Sequence, residues 1–362
     1  MNIKSLLLGS AAALAVVSGA QAADAVVAAE PEPLEYVRIC DAFGAGYFFI
    51  PGSETCLKIG GYVRTEGKWY DAYNPDSHNG TWWRSRAHLT VDTATDTEYG
   101  AMKTNTVLRF EWNDGGSTTT KLIFANISLG GFTIGKLDSQ YNLYTGYAGG
   151  VMNDDVVYDG PYELNQLTYN YDAGNGFTAV ISLEDSNSGT TTNSAGKIVG
   201  ITGVNGRDAT NHYIPDVVAG AGYKAGNFGF KVVGGYDSIV EEGAVKARID
   251  ADFGVFKAFL MGGYNTDGKQ LNKYASSNGN GAAKPIGWGD WAAWGGVTVP
   301  INSKLQANAQ VAYTDSKIFA ATANLKFNPV KSLQITPEVS YTKWDSINRE
   351  QWSGLLRFHR SF

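Results

Sequence analysis

The sequence predicts an all-β protein, a transmembrane antiparallel β-barrel of sixteen strands with one long connection folded inward. From residue 57 onward, short segments alternate polar and apolar side chains, which gives each predicted strand two different faces. Short and long connections also alternate, as they do in membrane barrels. The chain contains 44 Gly, 20 Tyr, 16 Phe and 9 Trp, yet after residue 22 it has no apolar stretch long enough for a spanning helix.

The first residues have the pattern of a secretory signal peptide. Lys4 precedes an apolar run from Leu6 to Val17, and the small-residue site Ala20-Gln21-Ala22 follows it. This pattern predicts cleavage after Ala22 and therefore a signal peptide over residues 1–22. The run is shorter than the ~20 residues that a spanning helix needs. We expect an exported chain, and its net charge of −6 argues against nucleic-acid binding through a basic surface.

Residues 23–56 are predicted to form an N-terminal periplasmic segment. It begins with a stretch rich in Ala, Glu and Pro and continues into a loop bounded by Cys40 and Cys56. In an oxidising compartment these two cysteines are expected to join, which stabilises such a loop by roughly 3 kcal/mol on the chain-entropy model. Two free buried thiols are the alternative. Two cysteines without a nearby histidine do not predict a zinc site.

The barrel itself is predicted over residues 57–362. In its first strand, Ile59 and Val63 lie on one face and Lys58 and Arg64 on the other. Alternation also occurs in soluble sandwiches, but tight turns on one rim and long connections on the other indicate a membrane barrel. Sixteen strands leave room for an aqueous channel. The predicted strands are 57–70, 82–93, 99–112, 120–129, 132–138, 164–172, 176–185, 215–225, 228–237, 244–252, 254–265, 288–299, 305–314, 317–327, 332–344 and 351–362.

The connection between the strands ending near Asp138 and beginning near Leu164 is unlike the others. Its length exceeds that of ordinary connections, and such loops are usually functional or disordered. Its tyrosines and valines need a surface to pack against, which argues against disorder. No Lys or Arg occurs from residue 137 to residue 196. The acidic residues of the connection are Asp138, Asp154, Asp155, Asp159 and Glu163.

Positive charge is concentrated on the inward faces of the first three strands and the last strand. The predicted basic wall consists of Arg64, Arg84, Arg86, Lys103, Arg109 and Arg357. If the long connection folds into the lumen, its acids face this wall across the narrowest point. Opposite charges about 10 Å apart in water attract by only ~0.4 kcal/mol, which biases ion selectivity but does not produce tight binding. The alternative is a solvated loop beside an ordinary polar wall.

The block from Val37 to Arg64 resembles the general porins of alphaproteobacteria, and so do the signal peptide, the long connection and the ending Arg357-Phe358-His359-Arg360-Ser361-Phe362. The resemblance implies a homotrimeric outer-membrane barrel whose third extracellular loop folds inward. It implies passage of ions and small hydrophilic solutes, with no cofactor. It further implies contact with outer-membrane lipid and with the barrel-assembly machinery, for which the terminal Phe362 is the assembly signal.

Two other classes of protein compete with a channel. An enzyme is disfavoured because the sequence has no Gly-x-Ser-x-Gly and no His-Glu-x-x-His motif, and its four histidines lack the spacing of metal ligands. A plugged barrel acting as an adhesin or structural protein stays open as the alternative. Single-channel recording separates the two, because only a pore conducts in steps.

Overall fold

The computed structural model of the protein describes residues 37–72, 79–113, 116, 118–154, 156–186, 213–268, 272–275 and 287–362. The predicted signal peptide, residues 23–36 and Asp155 lie outside these ranges. Residues from Ile39 to Phe362 form one compact unit. Within the ranges described, no helix has both the length and the apolar character needed to cross a membrane.

Sixteen long antiparallel strands, β2 to β17, form one closed sheet, and a two-residue strand, β1, joins it. Each long strand pairs with its neighbours in the sequence, and β17 pairs with β2 through contacts such as Leu356 with Gly67. The predicted sixteen strands are therefore confirmed. The strands are β1 Phe48–Phe49, β2 Cys56–Tyr70, β3 Gly80–Thr97, β4 Gly100–Asn113, β5 Thr118–Leu129, β6 Phe132–Leu137, β7 Leu164–Asp172, β8 Phe177–Glu184, β9 Asp216–Ala225, β10 Phe228–Asp237, β11 Glu242–Asp252, β12 Lys257–Asn265, β13 Trp291–Asn302, β14 Leu305–Thr314, β15 Ile318–Val330, β16 Leu333–Trp344 and β17 Arg349–Ser361.

The two rims of the barrel differ in their connections. At one rim, here called the turn end, strands are joined by tight turns such as Gly130-Gly131 between β5 and β6. Both of these glycines have positive φ, 58° and 88°, a conformation that a side chain disfavours and that hairpin turns require. The opposite rim, the loop end, carries the connection of residues 138–163 between β6 and β7. Short and long connections thus alternate as predicted.

The two faces of the wall have different surroundings. Outward side chains such as Val63 are exposed and apolar, whereas the inward Glu66 is only 1% exposed. Exposed aromatic rings gather near both rims, which is the arrangement of residues at the two membrane interfaces. Near the turn end they include Tyr99, Phe132, Tyr169, Phe228 and Phe253, and near the loop end Trp69, Trp83, Trp112, Trp291 and Trp352.

The two cysteines form a disulfide, with their Cα atoms 6.1 Å apart, so this prediction is confirmed. Strand β1 pairs with the beginning of β2, with Phe48 opposite Leu57. The segment enclosed by the disulfide therefore continues the sheet at the turn end. The Lys58 ammonium lies 5.5 Å from the centre of the Tyr47 ring, which adds a second contact between this segment and β2.

Replacing both Cys40 and Cys56 with alanine is expected to loosen the enclosed segment without unfolding the barrel. The disulfide closes a loop of about sixteen residues, a constraint of roughly 3 kcal/mol on the entropy model, whereas the barrel is held by its own strand ladders. Limited proteolysis should then cleave between the two positions in the variant, and in the reduced parent protein, but not in the oxidised parent. Equal resistance of all three would contradict this expectation.

Candidate functional site

The connection of residues 138–163, here called the inward loop, folds into the barrel. It begins with one helical turn, α1, Gln140–Leu143, whose first turn is capped because the Ser139 hydroxyl accepts a hydrogen bond from the Tyr141 N–H. Lys246 on β11 donates from its Nζ to Asn142 Oδ1 at 2.8 Å and to the Asp159 carbonyl at 2.5 Å. The buried Lys246 ammonium thus holds both the beginning of the loop, at Asn142, and its end, at Asp159, against β11.

Two tryptophan side chains hold the second half of the inward loop in place, at Val157 and Tyr158. Trp294 donates from its indole N–H to the Val157 carbonyl at 2.9 Å, and Trp288 donates to the Tyr158 carbonyl at 2.7 Å. The two indoles also pack edge to face, with centroids 5.2 Å apart. Because these carbonyls lie away from bulk water, each needs such a donor. The predicted inward folding rests on packing and hydrogen bonds together.

The tip of the loop is anchored on β15 and β16. The Glu338 carboxylate accepts hydrogen bonds from the backbone N–H groups of Met152 at 2.6 Å and Asn153 at 2.9 Å. Asn324 donates from Nδ2 to the Gly150 carbonyl at 3.1 Å. The loop therefore extends from β6 and β7 to β15 and β16, and the lumen it leaves open faces β17, β2, β3 and β4.

A second connection supports the inward loop. Residues 272–275, between β12 and β13, place Tyr274 beside Tyr141, with ring centroids 5.0 Å apart. Lys273 Nζ lies 2.5 Å from Asp216 Oδ2 in a pair shielded from solvent. Nothing in the sequence predicted this contact, because residues 266–287 show no strand pattern. The base of the inward loop is thus packed between the wall and a second loop.

Two of the predicted loop acids bond within the loop itself. Asp138 accepts hydrogen bonds from the Tyr147 hydroxyl and from the Glu163 N–H. The pKa of its carboxyl is raised above the usual value, because burial raises it by more than these hydrogen bonds lower it. Asp159 accepts from the Ala148 N–H at 2.8 Å and from the Tyr162 hydroxyl at 2.9 Å. Both residues are buried.

The other loop acids lie closer to charged side chains of the wall. Glu163 Oε2 is 3.3 Å from Lys136 Nζ, and Glu163 Oε1 is 4.0 Å from an Arg109 nitrogen. Asp154, at the tip, acts electrostatically on Lys326 of β15. Glu163 therefore connects the loop directly to the predicted basic wall.

The basic wall carries carboxylates among its arginines. Glu66 accepts from Arg84 and, at 2.6 Å, from Arg357 Nε. Glu111 accepts from Arg86 Nε at 2.6 Å and lies 3.3 Å from Arg84 Nη1. The sheet register creates these pairs, because Glu66 lies opposite Arg84, and Arg86 opposite Glu111. The alternation of the strands places both carboxylates on the inward face, but it does not show their partners.

Among the described residues, Arg64 and Lys103 of the predicted wall have no carboxylate within salt-bridge distance, and Arg109 has one only at the limit of that distance. Arg64 lies opposite Arg86 and His359. Arg109 is held at the edge of salt-bridge distance from Glu163. Lys103 lies near the turn end of β4, six residues and thus ~20 Å along the strand from Arg109. The structure brings the five arginines together on adjoining strands and leaves Lys103 apart from them.

A cavity of about 770 Å³ lies between the wall and the tip of the loop. Charged side chains of the wall line one side of it, and the tip of the inward loop lines the other. Its lining includes Glu66, Arg84, Arg357, Trp82, Met152 and Asn153. A hydrated ion or small polar molecule fits this space, and on the wall side it meets carboxylates as well as guanidinium groups.

The family described as Porin subfamily matches residues 24–355 of this chain. Porin Omp2b of Brucella suis biovar 1 (strain 1330) is 43% identical over 385 residues, covering 100% of both chains. Porin Omp2b of Brucella abortus (strain 2308) is 43% identical over 382 residues, again with 100% of both chains covered. The similarity therefore includes the N-terminal segment as well as the strands.

Two solved structures share the architecture at low sequence identity. The outer membrane channel DcaP of Acinetobacter baumannii aligns with a TM-score of 0.63 at 15% identity, covering 87% of this chain and 99% of that one. An anion-selective porin from Comamonas acidovorans aligns with a TM-score of 0.58 at 16% identity, covering 85% and 100%. At such identities the likeness concerns the fold alone.

Proposed function

Because the chain belongs to the Porin subfamily and is an outer-membrane channel for passive diffusion, we propose that solutes pass between the basic wall and the inward loop and are selected there by charge. The observation that carries this proposal is the cavity of about 770 Å³ between Arg84 and Arg357 on one side and the loop tip at Met152 and Asn153 on the other. The loop end then faces outside the cell and the turn end faces the periplasm.

The residues of the constriction divide into two roles in this proposal. Arg64, Arg84, Arg86, Arg109 and Arg357 supply the positive side, with Lys103 contributing nearer the periplasmic exit. Glu163, Asp154 and Asp155 supply the negative side. Asp138 and Asp159 act indirectly, since their oxygens accept hydrogen bonds that shape the loop.

Ions and small hydrophilic solutes are the proposed cargo. The wall offers charged and hydroxyl groups to water. The electric field of these charges changes the energy of a passing ion by at most a few kcal/mol. Such a field selects passing solutes by their charge but does not bind them tightly. Membership of the Porin subfamily supports a channel rather than an enzyme, and the charged groups of the constriction have a sufficient role in selectivity.

Stepwise current is the measurement that separates this function from a non-conducting barrel. Purified protein added to a planar bilayer is expected to insert as discrete conductance steps that persist at low voltage. Boiled protein, in which the strand ladders are lost, is the matched control and should give no steps. A folded barrel that leaves the bilayer silent would support the adhesin alternative instead.

We further propose that three copies associate through the outer face around β17 and β2 to β4. Hydroxyl groups lie on this otherwise apolar face: Thr65 Oγ1 is 3.5 Å from Ser85 Oγ, and Thr93 Oγ1 is 2.6 Å from Thr104 Oγ1. These hydroxyls pair with one another, and their remaining hydrogen-bonding capacity has no partner in lipid tails but can be used by a neighbouring subunit. Outside this face, the exposed apolar side chains are proposed to contact outer-membrane lipid.

Unheated detergent electrophoresis is expected to show a homotrimer that becomes a monomer on boiling. Crosslinking before extraction should trap the same species. Thr65→Trp places a bulky side chain on the proposed interface and should weaken the trimer, while Val311→Trp on the outward face of β14 should not. A strictly monomeric parent after gentle extraction would contradict the proposal.

The ends of the chain are assigned roles on the same basis. We propose that residues 1–22 are removed during export, that residues 23–56 form the periplasmic segment, and that residues 57–362 form the barrel. Phe362 is proposed as the signal read by the barrel-assembly machinery. N-terminal sequencing of the mature protein checks the cleavage site, and a chain lacking Phe362 should reach the membrane in lower yield.

A further inference from the structure

A cluster of arginine and histidine side chains lies on the inner wall around the closure of the barrel. It is here called the arginine–histidine cluster and comprises Tyr62, Arg64, Arg86, His88, Arg109 and His359. These residues come from four adjoining strands, β17, β2, β3 and β4, and lie in register. Arg64 is directly opposite both His359 and Arg86, and His88 is directly opposite Tyr62 and Arg109.

The cluster contains more positive charge than its carboxylates neutralise. Arg64 and Arg86 are cross-strand neighbours, and like charges directly opposite each other destabilise a sheet. Arg86 is paired with Glu111 and Arg109 lies 4.0 Å from Glu163. Arg64 has no carboxylate within salt-bridge distance among the residues that the structure describes. An arrangement that repels itself in the free protein is favourable when an anion lies between the guanidinium groups.

The aromatic rings of the cluster hold Arg64 in place. The Tyr62 ring lies between those of His88 and His359, with centroids 4.5 and 4.4 Å away. The Arg64 guanidinium lies 4.8 Å from the centre of the Tyr62 ring, and its Nε donates to His359 Nδ1 at 3.5 Å. Nδ1 of His359 is therefore an acceptor, and its other ring nitrogen carries the hydrogen. Packing thus preorganises the remaining Arg64 donors.

Two polar atoms of the cluster that are shielded from solvent have no hydrogen-bond partner among the described residues. These are Arg109 Nε and His88 Nδ1. Buried polar groups in folded proteins are nearly always hydrogen-bonded to protein or to ordered water, so a water molecule or a ligand atom is favourable at both positions. Both atoms belong to the row of side chains next to the Arg64 and Arg86 pair.

We propose that the arginine–histidine cluster binds the phosphate group of inorganic phosphate or of a small phosphate monoester. Planar guanidinium groups bind such oxygens through paired hydrogen bonds. Arginines from three adjoining strands lie side by side on this face, and three guanidinium groups offer donors for the several oxygens of a phosphate, more than the two of a carboxylate require. The inference rests on the proposed function, because phosphate reaches the cluster only if this wall lines the channel.

Isothermal titration calorimetry on the full-length protein in detergent, in chloride buffer at neutral pH, tests the site directly. Inorganic phosphate and glycerol phosphate are titrated in separate experiments. Saturable binding of at least one of the two anions is expected. Arg64→Gln should weaken it about tenfold or more, and Arg64→Lys should weaken it less, because lysine keeps the positive charge but not the planar guanidinium with its paired donors. Arg349→Gln removes the same charge ten residues along β17 from His359 and should bind as the parent does.

The outcomes separate the site from the channel. Binding of both anions supports a site for the phosphate group in general, and binding of inorganic phosphate alone supports a site for the free ion. No saturable binding, or binding unchanged in Arg64→Gln, overturns the inference even when the same preparation conducts in bilayers. Binding that depends on Arg64 in a protein that never conducts supports the site and contradicts the proposed function. Unheated electrophoresis shows whether each variant is folded.

Discussion

Replacing Arg84 and Arg86 together with glutamine is expected to shift the channel strongly toward cations. The change removes two positive charges from the wall and leaves Glu66 and Glu111 without two of their partners. Each charge contributes ~0.4 kcal/mol to the energy of an ion about 10 Å away in water. The contribution has opposite sign for a cation and an anion, so the permeability ratio is expected to change by about tenfold.

Reversal potentials in a potassium chloride gradient measure this shift. Glu66→Gln with Glu111→Gln is the matched counterpart, because it removes two carboxylates from the same network and should move selectivity toward anions. The shifts should shrink as salt rises, since the Debye length falls from about 10 Å at 0.1 M to about 3 Å at 1 M. Parental selectivity in both double variants at low salt would show that ions do not pass along this wall.

Neutralising acids of the inward loop is expected to shift selectivity in the opposite direction, toward anions. The structure separates two kinds of loop acid that the sequence did not distinguish. Asp154→Asn with Asp155→Asn should move selectivity toward anions by removing negative charge from the tip. Asp159 is a poor probe of selectivity, because its carboxylate holds the Ala148 N–H and the Tyr162 hydroxyl. Its replacement changes the shape of the loop as well as its charge.

The strands were predictable because their pattern is local and repeats. Side chains alternate with a period of two, and glycine pairs such as Gly130-Gly131 mark the turns, so all sixteen strands were found with boundaries within four residues of those observed. The direction of the side chains on the wall followed from the same period. Arg84, Arg86 and Arg109 were placed inward for that reason.

The partners of those side chains were not predictable, because they depend on register and on irregular segments. The pairing of Glu66 with Arg357 joins residues 291 positions apart, and only closure of the barrel shows it. Side chains in the inward loop follow no period, so composition did not distinguish the buried Asp159 from the acids near the wall. Glu338 was not identified as the anchor of the tip, since a lone glutamate on an inward face has many uses.

Removing the Glu338 carboxylate is expected to release the tip of the inward loop and to raise both conductance and current noise. In Glu338→Ala, the N–H groups of Met152 and Asn153 lose their acceptor, and so does the amide of Asn324. Hydrogen bonds to a charged group contribute about 1.5 to 3 kcal/mol each, so the tip loses most of what holds it at β16. The barrel should stay folded, because the β16 backbone ladder is unaffected.

Single-channel recording and limited proteolysis measure the release together. Glu338→Gln keeps one acceptor oxygen without the charge and should give an intermediate effect, while Val339→Ala, on the outward face of the same strand, should match the parent. The Lys246, Trp288 and Trp294 contacts remain in every variant, so the base of the loop should stay in place and only the tip should become sensitive to protease. A Glu338→Ala channel with parental conductance, noise and protease resistance would mean that the base of the loop and the Asn324 contact from β15 hold the tip without the carboxylate, and that the carboxylate on β16 does not determine the width of the pore.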